Sequence, residues 1–293
     1  MDYSEAVNVY SQQLSDQEFR RIQEFMLQNL GIKLHPIKIV MVNSRLIKRL
    51  KATGIYNFTE YLDYALSPEG KRDGELERMI DELTTHKTEF FRESDHFTFL
   101  QNNILSQSDH TRANPFKIWS AGCSTGEEAY TMAMILSEHQ LTNTVFDFTI
   151  FATDVSQAVV MKAFRAIYPY SVASGLDPSL LKRYFLMSKD EKESKVRVVK
   201  TLRDKVHFSI LNLVDDYFFQ NNSLDVIFCR NTLIYFEDNS KVKVVNKLID
   251  KIKPGGYLFV GLSETVSQYS QAIRQVNPSV YVKLTNGYGT GNT

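Results

Sequence analysis

A chain of 293 residues is long enough to bury one sizeable core and a smaller satellite domain. Hydrophobic residues at 43% and charged residues at 23% set aside disordered and fibrous classes. Lys+Arg and Asp+Glu are each 34, so the net charge is zero and no global field draws the chain to nucleic acid or anionic lipid; any basic binding surface must be local.

The first residues, MDYSEAVNVYSQQLSDQE, carry acids and no basic region ahead of an apolar stretch, and nowhere do apolar residues run long enough to span a bilayer. The expected location is the cytoplasm, without membrane insertion. Ser15, with Glu18 three residues on, predicts a capping-box helix start, and Phe19, Ile22, Met26 and Leu30 then share one face until Gly31. Further amphipathic stretches run over 37–53, 58–66 and 75–83, with Ser67-Pro68 read as a break. Residues 1–87 therefore read as a helical domain.

From Phe116 the pattern changes to short apolar runs (FKIWSA, FDFTIFAT, VHFSIL, LDVIFC, GYLFVGL) separated by helical-length segments, which argues for βα units and a parallel sheet over 88–293. SVYVKL is expected to add an antiparallel edge strand. Between Tyr168 and Val206 the interruption is too long for a simple connection. The helix PSLLKRYF, the charged turn SKDEKESK and VRVV predict an inserted subdomain with a β-hairpin over about 170–205. The tail NGYGTGNT is expected to fray.

The strand FKIWSA runs into AGCSTGEEAY, a turn that brings bare amides and a helix start to the carboxyl edge of a sheet, with Gly122 and Gly126 permitting it. Glu127 and Glu128 there would repel a pyrophosphate but suit a cationic, hydroxyl-bearing ligand such as a sulfonium nucleoside. Asp154 closes the next strand, where a carboxylate either accepts bonds from ribose hydroxyls or caps the following helix. Arg230 and Asn231 follow a buried strand and fall on the same edge; such residues also serve simply to satisfy local acids and backbone. Upstream, LTTHKTEFFRES holds Thr88, an aromatic pair and Arg92, which either meets an acid such as Glu128 or lies in a pocket. Cys123 and Cys229 are too few for a disulfide framework, and the histidines are scattered singly, so no metal is expected.

Taken together, TEFFRE (88–93), IWSAGCSTGEEAY (118–130), FATDVS (151–156), LNL (211–213), DVIFCRNTLIYF (225–236) and KPGGYLFVGLSE (253–264) resemble the chemotaxis receptor methyltransferases, the CheR family. The resemblance runs in family order from the helical domain to near the chain's end. It implies a helical N-terminal domain, a Rossmann-like class I methyltransferase sheet with a small inserted β-subdomain, and S-adenosyl-L-methionine as methyl donor.

By motif, Thr88, Arg92, Gly122, Glu128, Asp154, Asn212, Leu213, Arg230 and Asn231 would surround the cofactor, and Tyr235 would join Arg92 at the reacting centre. His86 stands where many members place an Asn against the cofactor. The implied reaction is methyl esterification of glutamates on methyl-accepting chemotaxis receptors. The turn SKDEKESK lacks the glycine of members that grip a receptor's C-terminal tether, which leaves tether docking open. Rival expectations are a methyltransferase for another substrate and a non-catalytic cofactor-sensing module. Lys38, Arg45, Lys48, Arg49 and Lys51 cluster in one amphipathic stretch, read as a receptor-docking face rather than a merely solvated one.

Overall fold

The computed structural model describes residues 12–190 and 194–285. The glycine-rich tail, the acidic first residues and the centre of the charged turn lie outside the described residues. The described residues form two compact units: one comprises those through His86 with Ser156–Ala158 and Tyr235–Glu237, and the other the remainder of them.

In the first unit, α1 (Asp16–Leu30) starts at the capping box, with the Ser15 amide 2.8 Å from the Glu18 carboxylate, and ends at Gly31 in the left-handed region. It buries Phe19, Ile22, Met26 and Leu30, the face its spacing predicts. The next helix, α2 (Ile39–Thr53), begins after a 3₁₀ turn at Pro36–Lys38 and buries Val42, Leu46 and Leu50. After α3 (Phe58–Ala65), the expected break is instead the start of a short helix, α4 (Pro68–Arg72). Ser67 accepts from the Gly70 amide and Pro68 occupies the first turn, where its missing N–H costs nothing. The unit's last helix is α5 (Glu75–Leu83).

Two arginines of the basic stretch on α2, expected to share a docking face, are engaged within the unit. Arg49 grips buried Glu75 through two bonds of 2.9 and 2.6 Å, and Arg45 donates to the Glu82 and Thr84 carbonyls at 2.9 and 2.8 Å. Arg49 thus ties α2 to the start of the unit's last helix and Arg45 ties it to that helix's end. Lys48, between them in the chain, is 68% exposed and 3.6 Å from Glu82, and has the character of a solvated charge.

The second unit opens with α6 (Ser94–Phe99), which continues through a π turn at Leu100–Ile104. Its strands are β1 (Phe116–Ala121), β2 (Phe148–Asp154), β6 (Val206–Ile210), β7 (Leu224–Cys229), β8 (Ile252–Val260), β9 (Ile273–Asn277) and β10 (Val280–Lys283). They form one sheet in the order β6-β2-β1-β7-β8-β10-β9. The pairs from β6 to β8 are parallel, and β10 runs antiparallel to both neighbours. SVYVKL is therefore antiparallel as expected but not the edge: β9 lies outside it. Ile273 is the single buried residue of β9, so no apolar run announces it. Every residue of β7 is buried, as a central strand covered on both faces requires. Helices α7 (Glu127–Thr142), α8 (Gln157–Arg165) and α12 (Asp238–Lys251) connect the strands.

A separate antiparallel sheet, in the order β3-β5-β4, is built from β3 (Ile167–Pro169), β4 (Phe185–Met187) and β5 (Lys195–Val198). The short helices α9 (Tyr170–Ala173), α10 (Pro178–Tyr184) and α11 (Lys200–Arg203) flank it in the chain. The pairing of β4 with β5 across the charged turn is the hairpin expected of the insertion.

Candidate functional site

The chain leaves β1 for β2 and β6 on one side and returns to β7 and β8 on the other, so the sheet reverses direction between β1 and β7. Open α/β sheets bind ligands at the carboxyl ends of strands at such a switch point. Gly122, Asp154 and Arg230 each follow or end a strand there.

Backbone bonds draw the β1 loop over β2: the Gly122 and Cys123 amides both donate to the Thr153 carbonyl at 2.8 Å. Gly122 has φ +91°, and a Cβ there would run into the Thr232 side chain. Gly126 has φ +96°, and a Cβ would lie 2.8 Å from that of Ala163. Both positions therefore need glycine. The Ser124 amide donates to the Asp154 carboxylate at 2.9 Å, tying the loop to the end of β2. Asp154's own carbonyl accepts from Leu211 at 3.0 Å, bringing the LNL segment alongside. Leu213 is buried there, and the Asn212 side chain accepts from the Val214 amide at 3.4 Å.

Glu128, in the first turn of α7, accepts from the Ser120 hydroxyl at 2.6 Å and lies 3.5 Å from Arg230. Burial pushes its carboxyl up from the ordinary range, with Arg230 and Ser120 opposing. Arg230 is also 3.5 Å from Glu93, sits 5.2 Å from the Phe97 ring centre and donates to the Arg92 carbonyl. The Asn231 side chain donates to Glu93 at 3.1 Å. It is thus Arg230, not Arg92, that meets Glu128. The Arg92 guanidinium donates to the Lys87 carbonyl at 2.8 Å.

The structure brings together Gly122, Glu128, Asp154, Asn212, Leu213, Arg230 and Asn231, with the Arg92 backbone. Thr88 is half-buried in the strap before Arg92. His86 and Tyr235 belong to the first unit. His86 Nε2 lies 2.8 Å from the Thr84 hydroxyl, and the Tyr235 ring centre 5.4 Å from the Lys38 ammonium. Sequence reasoning missed Glu93 and Glu264, both of which hold Asn231; their place depends on tertiary contacts that no local pattern signals. Among the described residues no cluster of His, Cys, Asp or Glu is suited to hold a metal, and no helix is long and apolar enough to cross a membrane.

This glycine loop, lined with carboxylates at the switch point of a mostly parallel sheet, defines a Rossmann-like domain of the class I S-adenosylmethionine-dependent methyltransferases. The ligand carries a ribose diol and a sulfonium cation, and the residues present fit it: a bare-backbone turn flanked by the carboxylates of Asp154 and Glu128.

Comparison with known proteins gives the same class. Residues 86–282 match the model of the CheR methyltransferase S-adenosylmethionine-binding domain, and residues 17–84 that of the CheR methyltransferase all-alpha domain. A chemotaxis protein methyltransferase of Borreliella burgdorferi is 37% identical, over 92% of this chain and 95% of its own. One from Escherichia coli is 36% identical, over 92% and 91%. The chain belongs to the CheR methyltransferase family.

Proposed function

We propose that this methyltransferase esterifies glutamate side chains on methyl-accepting chemotaxis receptors, working at their cytoplasmic helical bundle. The observation that carries the reading is the pair of carboxylates, Asp154 and Glu128, bracketing the glycine turn at the sheet's switch point, which suits a cationic nucleoside. The names of the relatives supply the chemotaxis context.

When bound, S-adenosylmethionine supplies an electrophilic methyl group on a positively charged sulfur. A glutamate nucleophile, with an ordinary pKa of about 4.3, is already ionised at neutral pH, so the chain needs no strong general base. Its work is positioning and exclusion of water. We assign the ribose hydroxyls to Asp154, and Thr88, Gly122, Glu128, Asn212, Leu213, Arg230 and Asn231 to the remaining cofactor surface, with His86 in place of the family's Asn. Arg92, whose guanidinium donates to the Lys87 carbonyl, is assigned to attract and orient the substrate carboxylate. Tyr235 is assigned to donate a hydrogen bond to the oxygen that does not attack.

The test is incubation with methyl-labelled S-adenosylmethionine and receptor-bearing membranes. Base-labile label on the receptor is expected, since esters hydrolyse in base where N-methyl groups do not. Cofactor binding without receptor label would overturn the substrate assignment.

A further inference from the structure

Just beyond β8 the chain turns back through Gly261-Leu262-Ser263-Glu264, and the Glu264 side chain enters the β7 turn. Glu264 is 6% exposed and, among the described residues, has no basic side chain as a hydrogen-bond partner. Its partners are backbone amides: Oε2 accepts from Gly261 at 2.6 Å and from Asn231 at 2.9 Å, and Oε1 accepts from Ile234 at 3.0 Å. The Leu233 amide is turned to it as well. Asn231 has φ +55°, the left-handed conformation that points successive amides into one hollow. Such hollows bind anions, and here the anion belongs to the protein itself. On the other side of Asn231, Glu93 accepts from the side-chain amide at 3.1 Å.

We infer that Glu264 is a positioning residue of the cofactor site: its carboxylate fills the anion-binding hollow of residues 231–234 and so fixes the turn that presents Arg230 and Asn231. A neutral side chain does not reproduce this. An amide has one acceptor oxygen in place of two, and its NH₂ group would face the N–H donors of the hollow. Because the hollow is already filled, the turn does not offer these amides to an acidic ligand; the Arg230 side chain it carries is buried beside Glu93 and Glu128, and the Asn231 side-chain amide donates to Glu93. Gly261 completes the arrangement. A Cβ there would come 2.5 Å from the Asn231 side-chain nitrogen and 2.9 Å from its backbone nitrogen, so the turn and the β8 end pack with no room to spare.

The inference rests on the reading that Arg230 and Asn231 face the cofactor, and the experiment separates the two. The full-length protein is titrated with S-adenosylhomocysteine by calorimetry, and steady-state methylation of receptor membranes gives kcat together with KM for S-adenosylmethionine and for receptor. Wild-type protein that fails to bind S-adenosylhomocysteine overturns the cofactor reading and this inference with it. If wild type binds, Glu264→Gln is expected to weaken affinity about tenfold or more and to raise KM for S-adenosylmethionine, with KM for receptor unchanged. Glu264→Asp, which keeps both acceptor oxygens, should restore part of the loss. Val244→Ala, in the buried face of α12, should lower the melting temperature without moving either constant. If Glu264→Gln does not fold, Gly261→Ala poses the same question from the other side of the turn, with the same loss of affinity expected. Affinity and KM at wild-type values in folded Glu264→Gln or Gly261→Ala, or a Val244→Ala effect as large as theirs, would sink the assignment.

Discussion

Arg230 and Glu128 meet at the carboxyl ends of β1 and β7, the guanidinium Nε 3.5 Å from a carboxylate oxygen, with the arginine side chain 2% exposed. Glu93 stands equally far from the same guanidinium on its other side. A cation so deeply buried is tolerable because two carboxylates and two aromatic faces, Phe97 and Phe228, surround it. Removing it leaves both acids without their cation. Arg230→Met is therefore expected to cost about 3–5 kcal/mol of stability, and Glu128→Gln on top of it should return part of that. Urea unfolding of the two single variants and the double closes the cycle; strictly additive effects would show that the pair is not coupled.

Asp154 carries two loads that substitution can separate: it accepts the Ser124 amide, and it is assigned to the ribose hydroxyls. Asp154→Ala should weaken S-adenosylhomocysteine binding about tenfold or more, in line with a charge-assisted bond of roughly 1.5–3 kcal/mol. Asp154→Asn keeps an acceptor for Ser124 and should keep the loop, while still losing affinity. Calorimetry showing wild-type affinity in both variants would leave Asp154 as a loop pin and nothing more.

Much of this architecture was legible because the physics behind it is local. The capping box and the spacing of Phe19, Ile22, Met26 and Leu30 define α1 with no knowledge of its partners, and an unbroken apolar run such as LDVIFC has few places to go but the middle of a sheet. The site's glycines and Asp154 were legible for a related reason: once strands are placed in a parallel sheet, their carboxyl ends fall on one edge. What escaped depends on distant partners. An edge strand with one buried residue, β9, carries no periodic signal. Ser67-Pro68 reads equally as a stop or as a cap, and became a cap. Nothing in GLSE tells that its glutamate fills a hollow thirty residues upstream, or in RLIKRL that Arg49 turns inward to Glu75 while Lys48 turns out.

That last contrast is measurable. Glu75, 2% exposed at its side chain, holds Arg49 by two bonds and accepts from Tyr61 at 2.9 Å. Arg49→Met removes two charge-assisted bonds from a buried carboxylate that keeps Tyr61 and Arg78, the latter 3.5 Å away, and should destabilise the helical unit by roughly 1.5–3 kcal/mol. Lys48→Glu, at an exposed pair worth at most about 1 kcal/mol, should leave the thermal melt almost unmoved. Equal effects from the two neighbours would mean that α2 does not bury Arg49 in solution.

A pH dependence follows from His96, which is 1% exposed in α6. Burial holds its pKa down from 6.5 to about 4; the Arg230 charge adds to the effect, while Glu93, 3.5 Å away, opposes it. Above pH 6.5 the ring is neutral in folded and unfolded chain alike, so it contributes nothing to the pH slope. Between pH 6.5 and about 4 the unfolded chain binds a proton that the folded one refuses, and stability falls as pH falls; below about 4 both states are protonated and the loss stops growing. At 1.36 kcal/mol per unit, the full effect is roughly 3 kcal/mol, most of it reached by pH 4.5. His96→Gln removes the titration while leaving every carboxylate in place. Urea midpoints measured at pH 7 and pH 4.5 should therefore fall by less in the variant than in wild type, by an amount equivalent to about 2–3 kcal/mol. Parallel losses in the two proteins would show that His96 is solvated or already charged in the folded state, and that the acid sensitivity of the site lies with its carboxylates instead.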